Sequence, residues 1–385
     1  RLALFRGLNL GSLFKLRMML SKTIRSCSSV VTLLLTSIIL IGVGSSCESL
    51  AQEQIKIGVS APLTGDLAEY GAAVRHGIEL AVSEDSSSFK SLQFVFEDNQ
   101  YEASKAVSAF QKLTNVDAVK IIYNWGEPTL HSIAPIAERA KVPVVAMSLD
   151  PVPAMGKTYI IRSINYSEQY AVKLLGYLRI KGFKKIAIIN TEDPFLNSMI
   201  AGLKKHLSQD ESLEVVATVN PEDQDFKSQI ARLKTRKFDV VGVYLFTGQV
   251  SQFYRQARSL DFKTPTFGTD FFESKTEISQ AQGGLDGAFY PNIDVPKNFA
   301  ADYLKRYGND AQIAYAYNAY SFAKVSAALL QNAGNKLTSD EIIKLYQNPP
   351  MNLGFSFADT KDGGRFYDFP IVIKQIKGND IETAS

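Results

Sequence analysis

Three histidines, His76, His131 and His206, and two cysteines, Cys27 and Cys47, make up the chain's stock of soft metal ligands and thiol nucleophiles. The histidines stand singly in helical or helix-adjacent sequence, with no H-x-x-x-H or H-E-x-x-H spacing to fix a zinc ion. Each reads as a surface or helix-face residue. There is no G-x-S-x-G elbow and no G-x-x-x-x-G-K-[ST] phosphate loop. Asp98 follows a strand, where a ribose-binding carboxylate can sit, but the preceding turn lacks G-x-G-x-x-G, so Asp98 reads as a loop or capping residue. Catalytic residues, cofactors and metals are therefore not expected. Binding signals are stronger. Tyr70 follows the first strand and turn, placed either to reach a crevice or to pack the helix start. The stretch Tyr123-Asn124-Trp125-Gly126-Glu127-Pro128-Thr129 follows a later strand and holds the only Trp in the chain. An indole there can serve as a ligand platform, and the loop amides with the Thr129 hydroxyl can cap an anion.

Such residues need a frame, and alternating strands and helices supply one. Ile55–Ala81 runs from a β-branched strand through Pro62-Leu63-Thr64-Gly65 into a helix with Ala72, Ala73, Gly77, Ile78 and Ala81 on one face. Further strand candidates are Leu92–Phe96, Ala118–Tyr123, Val142–Ala146, Ile186–Asn190, Leu213–Val219, Val240–Phe246 and Thr266–Gly268, with helical stretches between them. That alternation implies an α/β fold with parallel sheets covered by helices on both faces. Two similar series, about 55–160 and 185–290, imply two lobes of one architecture.

The first 54 residues differ in kind. Residues 1–47 carry six basic residues and no acid, then an apolar run Val30–Val43 and small residues up to Cys47. This order reads as a secretory leader over about 1–51. Two exits stay open: lipidation at Cys47 after Ser45-Ser46, or cleavage after Ala51. The body has no cysteine, so its stability must come from core burial. Setting the leader cations aside leaves 36 basic residues against 39 acidic ones, a mildly acidic body with no basic stripe that excludes nucleic acid as the expected partner.

The pattern P-L-T-G-x-x-A-x-Y-G at Pro62–Gly71, followed by Gly77-Ile78-Glu79-Leu80-Ala81, resembles the opening of the branched-chain amino-acid binding protein family. The resemblance continues through Glu97–Tyr101, Ala134–Glu138 before Val142-Pro143, Asp225-Phe226 and Tyr315–Ala319. It implies two Rossmann-like lobes with parallel-type central sheets and three crossings, the type I periplasmic binding protein fold. Lobe one would take 54–163 plus 293–350, and lobe two 166–290 plus 354–381. Hinges are expected near Ile164–Tyr166 and Tyr290–Ile293.

By the same resemblance, Tyr70 lines the ligand side chain, and Trp125-Gly126 stands where relatives place Ser-Gly against a ligand carboxylate. Ser148 keeps a carboxylate-holding position, although the family's Thr falls near Leu149. Phe195 and Phe246-Thr247 match ligand-contacting positions of the second lobe, and Asp270 matches the acid that pairs with an α-ammonium. The resemblance further implies a non-catalytic solute-binding protein, periplasmic or cell-surface; a monomer is expected, with a lipid anchor where the leader ends at Cys47. It would hand an amino acid or a related apolar or aromatic acid or amide to an ABC importer permease. A ligand-sensing receptor subunit signalling to a membrane partner is the alternative.

Overall fold

The computed structural model describes residues 54–334, 336–349 and 353–384. The expected leader and Cys47 lie outside the described residues. β1 (Ile55–Ala61) is buried almost throughout, with Ile55, Ile57, Val59 and Ala61 on one face and the small Gly58 and Ser60 on the other, as suits a strand covered by helices on two sides. Parallel to it run β2 (Leu92–Asp98), β3 (Ile121–Trp125), β4 (Val144–Met147) and β5 (Ile160–Arg162). A second parallel set comprises β6 (Lys185–Thr191), β7 (Ser212–Val219), β8 (Val240–Tyr244), β9 (Thr266–Phe267) and β10 (Phe289–Ile293). The tail adds β11 (Ser356–Thr360), β12 (Gly364–Asp368), β13 (Ile371–Lys377) and β14 (Asp380–Thr383).

Among the described residues these strands make two seven-stranded sheets, ordered β11-β12-β5-β4-β3-β1-β2 and β14-β13-β10-β9-β8-β6-β7. The parallel parts are the same architecture twice. Strand order reverses between β1 and β3 in one sheet and between β6 and β8 in the other. Open α/β sheets bind ligands outside the carboxyl ends at that switch point.

The tail departs from expectation. β11 and β12, expected in the second lobe, extend the first sheet: β12 pairs with β5 through Phe366 opposite Arg162. The buried Arg162 guanidinium lies over the Phe366 ring and donates to Gly363 O, and Tyr367 donates to Tyr346 O. Both contacts draw the hairpin to the first sheet, and only β13 and β14 join the second. The chain therefore crosses between sheets at 163–166, 294–296 and 369–370. The second crossing falls just after Tyr290–Ile293, because that stretch is itself β10.

Asn165 ties two crossings together. Its side chain donates to Asp368 Oδ1 (2.6 Å) and Phe369 O (3.1 Å) and accepts from Phe369 N (3.0 Å). Asp294 N donates to Pro370 O (2.7 Å), so all three strands of the connection run side by side.

The helix Ala68–Glu84 packs on Ile313–Leu330 as well as on the sheet. A Cβ on Gly77 would lie 2.0 Å from Ala316 O, so only glycine allows this approach. Ala72, expected on the buried face, is exposed; the stripe instead includes Tyr70, Gly71, Val74 and Leu80, because it must serve two partners.

Candidate ligand-binding site

The carboxyl ends of the parallel strands bring acids and aromatic rings from both lobes to one crevice. Trp125 closes β3 and is buried rather than loop-exposed. Its ring packs against Tyr70 (centroids 5.2 Å), Tyr101 (5.5 Å) and Tyr315 (5.5 Å). From the second lobe, Phe271 reaches Tyr70 (6.0 Å) and is itself flanked by Phe195 and Phe246. Tyr70, Trp125, Phe195 and Phe246 are thus gathered as expected. Phe246 and Thr247 line a cavity of about 310 Å³ together with Pro221 and with the loops 65–67 and 100–102 of the other lobe; Tyr70, Trp125 and Phe195 are not in its lining. A larger cavity of about 500 Å³ lies at the amino-terminal ends of β9 and β10, on the opposite edge of the second sheet, lined in part by Arg258 and Lys263. Among the described residues no buried unpartnered side-chain atom lies there. The crevice is the better candidate.

Asp270 is buried, and its Oδ2 accepts from Tyr315 OH across the lobes at 2.5 Å. Burial raises its carboxyl to about 7, offset in part by the Tyr315 hydroxyl and reinforced by Glu273. Asp193 caps the helix Pro194–Lys205 through Phe195 N (2.8 Å), while its Oδ2 lies 3.4 Å from Tyr101 OH of the other lobe. Desolvation lifts it to about 6. Glu127 lies 3.2 Å from the same Tyr101 hydroxyl and is lifted to about 8 by burial and by Asp193. Beyond Asp270, Glu273 Oε1 accepts from Lys374, Tyr290 OH and Asn292 Nδ2.

The expected anion clamp is not free. Gly126 N donates to Met147 O, and the Thr129 hydroxyl lies 2.8 Å from both Trp125 O and Gly126 O. Ser148 Oγ donates to Asp150 O, and Leu149 N donates to Glu127 Oε1 (2.8 Å). Gly126 serves a different purpose: at φ 111° it makes room for the Tyr101 ring, which a Cβ there would meet at 2.7 Å. The reason is local. Glu127 follows directly on Gly126, and its side chain folds back onto the amide of the next loop.

Glu127, Asp193 as an acid, Tyr101, Tyr315 and Phe271 escaped the sequence reading. Glu127 looks like an ordinary first-turn helix acid and Asp193 like a cap. Tyr315 had a signal, since it sits in the Tyr315–Ala319 motif. Asp98, read as a capping residue, accepts from Leu63 N and from the Thr64 hydroxyl, holding the first loop in place.

Several buried polar atoms here have no partner among the described residues: Tyr70 OH, Trp125 Nε1, Tyr170 OH, Thr247 Oγ1 and Glu273 Oε2. The Tyr70 and Thr247 hydroxyls stand near each other without meeting hydrogen-bond geometry. Buried polar groups are normally satisfied, so such a cluster marks a surface shaped for something else. Among the described residues no group of three His, Cys, Asp or Glu could hold a metal ion, and no helix is long and apolar enough to cross a membrane.

Comparison with known proteins places these features in a family. The profile described as periplasmic binding protein matches residues 54–367. A Leu/Ile/Val-binding protein of Rhizobium johnstonii is 28% identical over 303 residues, 74% of this chain and 81% of its own. A leucine-, isoleucine-, valine-, threonine- and alanine-binding protein of Pseudomonas aeruginosa is 24% identical, covering 85% and 92%. Among solved structures, a leucine-binding protein of Thermotoga maritima superposes with a TM-score of 0.76 at 20% identity, covering 86% of this chain and 98% of that one. An R. palustris solute-binding protein in complex with benzoate superposes at 0.74 with 17% identity, covering 86% and 96%.

Proposed function

We propose that this chain, which belongs to the periplasmic binding protein family, closes its two lobes around a small ligand outside the cytoplasm and delivers it to an ABC importer permease. What carries the reading is the crevice, where aromatic rings and carboxyls from both lobes face one another around buried, unpartnered polar atoms. In this reading Asp270 takes the ligand's ammonium, and Tyr70, Trp125 and Phe246 take its apolar or aromatic body. The relatives named for leucine, isoleucine and valine, and the structural neighbour holding benzoate, support ligands of that size. The three crossings, joined through Asn165 and through Asp294 N on Pro370 O, act as the hinge, and ligand selects the closed form.

A thermal-shift screen of amino acids, aromatic acids, amides and amines tests this directly. Ligand at about 100-fold over its Kd stabilises the bound state by about 2.7 kcal/mol. Small-angle scattering should then show a smaller radius of gyration with the best ligand, and an unchanged profile at saturation would count against closure. We further place the protein at the membrane surface through lipid on Cys47. Mass spectrometry of the mature N-terminus decides between that anchor and cleavage after Ala51.

A further inference from the structure

We propose, resting on the solute-binding reading above, that the crevice selects an organic cation whose other end is uncharged, and rejects the matching free amino acid. The argument is an inventory of charges and donors. Six acids are buried among the described residues: Glu127, Asp150, Asp193, Asp270, Glu273 and Glu277. The buried cations are Arg162 and Lys374. Arg162 is committed to Ser148 O and Gly363 O and lies over Phe366, and Lys374 is paired with Glu273. Asp193 caps a helix, whereas among the described residues Asp270 has the Tyr315 hydroxyl as its one side-chain hydrogen-bond partner. A buried carboxyl with no cation of its own, set against Tyr70, Trp125 and Tyr315, is complementary to a ligand cation.

The other end of the ligand finds no such match. A buried carboxylate needs a cation or several donors to offset its desolvation. Gly126 N, Thr129 Oγ1, Ser148 Oγ and Leu149 N are all taken by protein acceptors, the last by the carboxyl of Glu127 itself. What remains at the crevice, among the described residues, is four uncharged donors, the indole N–H of Trp125 and the hydroxyls of Tyr70, Tyr170 and Thr247, each buried and unpartnered, with no uncommitted buried cation beside Glu127, Asp193 and Asp270. Uncharged donors set among uncompensated acids suit a neutral oxygen, such as an amide carbonyl or an alcohol, better than a second carboxylate. A metal ion is a poor alternative, because no three acids stand close enough together to hold one among the described residues.

Matched ligands test this by isothermal titration calorimetry on the full-length body: phenylalanine, phenylalaninamide, phenethylamine and benzoate, with leucine and leucinamide as an aliphatic pair. Amide or amine should bind at least about 10-fold tighter than the matched acid, or about 1.4 kcal/mol. Asp270→Asn should lose most of that binding while melting as a folded protein. If the free amino acid binds as tightly as its amide, or if only benzoate binds, the inference is wrong and solute binding stands. If neither acids nor amines bind, both readings fall together.

Discussion

Asp270 sets the first expectation at the level of single residues. Its carboxyl is buried and raised to about 7, so its ionised form is disfavoured in the ligand-free protein and is relieved either by a proton or by a bound cation. Asp270→Asn should therefore weaken an amine ligand by about 2–5 kcal/mol, the cost of leaving a charge buried and unpaired. The same variant should melt no lower than the parent at pH 8 without ligand. Calorimetry and thermal melts read the two halves separately, and a residue with a merely structural role would lose stability instead. Trp125→Ala should cost less in binding, about 0.5–1.5 kcal/mol beyond lost area, because three other rings still line the crevice. Tyr70, Trp125, Phe246 and Asp270 could be picked out as crevice candidates because each stands at or beyond a strand's carboxyl end in a family pattern. The sequence hid Glu127, whose importance lies in where its side chain turns. A carboxylate at a helix start normally faces solvent, and nothing in Gly126-Glu127-Pro128 says that this one reaches Leu149 N.

At the level of elements, the helix pair Ala68–Glu84 and Ile313–Leu330 connects packing to the crevice. Gly77 lets the second helix approach at Ala316, next to Tyr315. Gly77→Ala places a Cβ 2.0 Å from a backbone oxygen that no rotamer can move. Overpacking of this kind costs about 1–3 kcal/mol. Denaturant unfolding should show that loss, together with weaker ligand binding as Tyr315 is displaced. Retained affinity would mean that the helix shift never reaches Asp270. At the crossings, Asn165→Ala strands the Phe369 amide and leaves Asp368 with Gln169 as its remaining side-chain donor, and should cost about 1–3 kcal/mol. The parallel strands and their helices were readable from apolar runs of the right length, since a strand covered on both faces has no other composition open to it. The β11–β12 hairpin was not. Its residues Ser356–Asp368 are half-polar, and what draws them to the first sheet is a set of long-range partners, among them Arg162 and the Lys157 and Thr158 carbonyls, about two hundred residues earlier in the chain.

For the whole molecule, the raised acids make stability depend on pH in a direction that ordinary surface carboxylates do not. Glu127, Asp270 and Asp193 titrate at about 8, 7 and 6 when folded, against roughly 4 in an unfolded chain. Between those values the folded state holds more protons than the unfolded one, so unfolding free energy falls as pH rises. The stabilisation is complete below about pH 4 and is lost progressively up to about pH 8. The groups facing these acids do not reverse that sign. Tyr101, Tyr315, Tyr70 and Tyr170 are held far above the usual phenol range by burial, and stay neutral throughout. Arg162, lowered to about 10, stays charged, and Lys374 is paired with Glu273. His76, lowered by burial against Tyr307, acts oppositely below about pH 7, one half-buried group against three. The ligand-free melting temperature should thus fall from pH 5 to pH 8. An ammonium ligand reverses the dependence for the complex, because its charge favours the ionised carboxylates that high pH supplies. Its affinity should rise over pH 6–8, with protons released on binding, whereas a carboxylate ligand would bind better at the acid end. Calorimetry in buffers of different ionisation enthalpy measures that proton count. Proton uptake on binding, or an affinity that falls with rising pH, would remove the cation from the crevice and leave Glu127 and Asp270 as acids that stay protonated in the closed form.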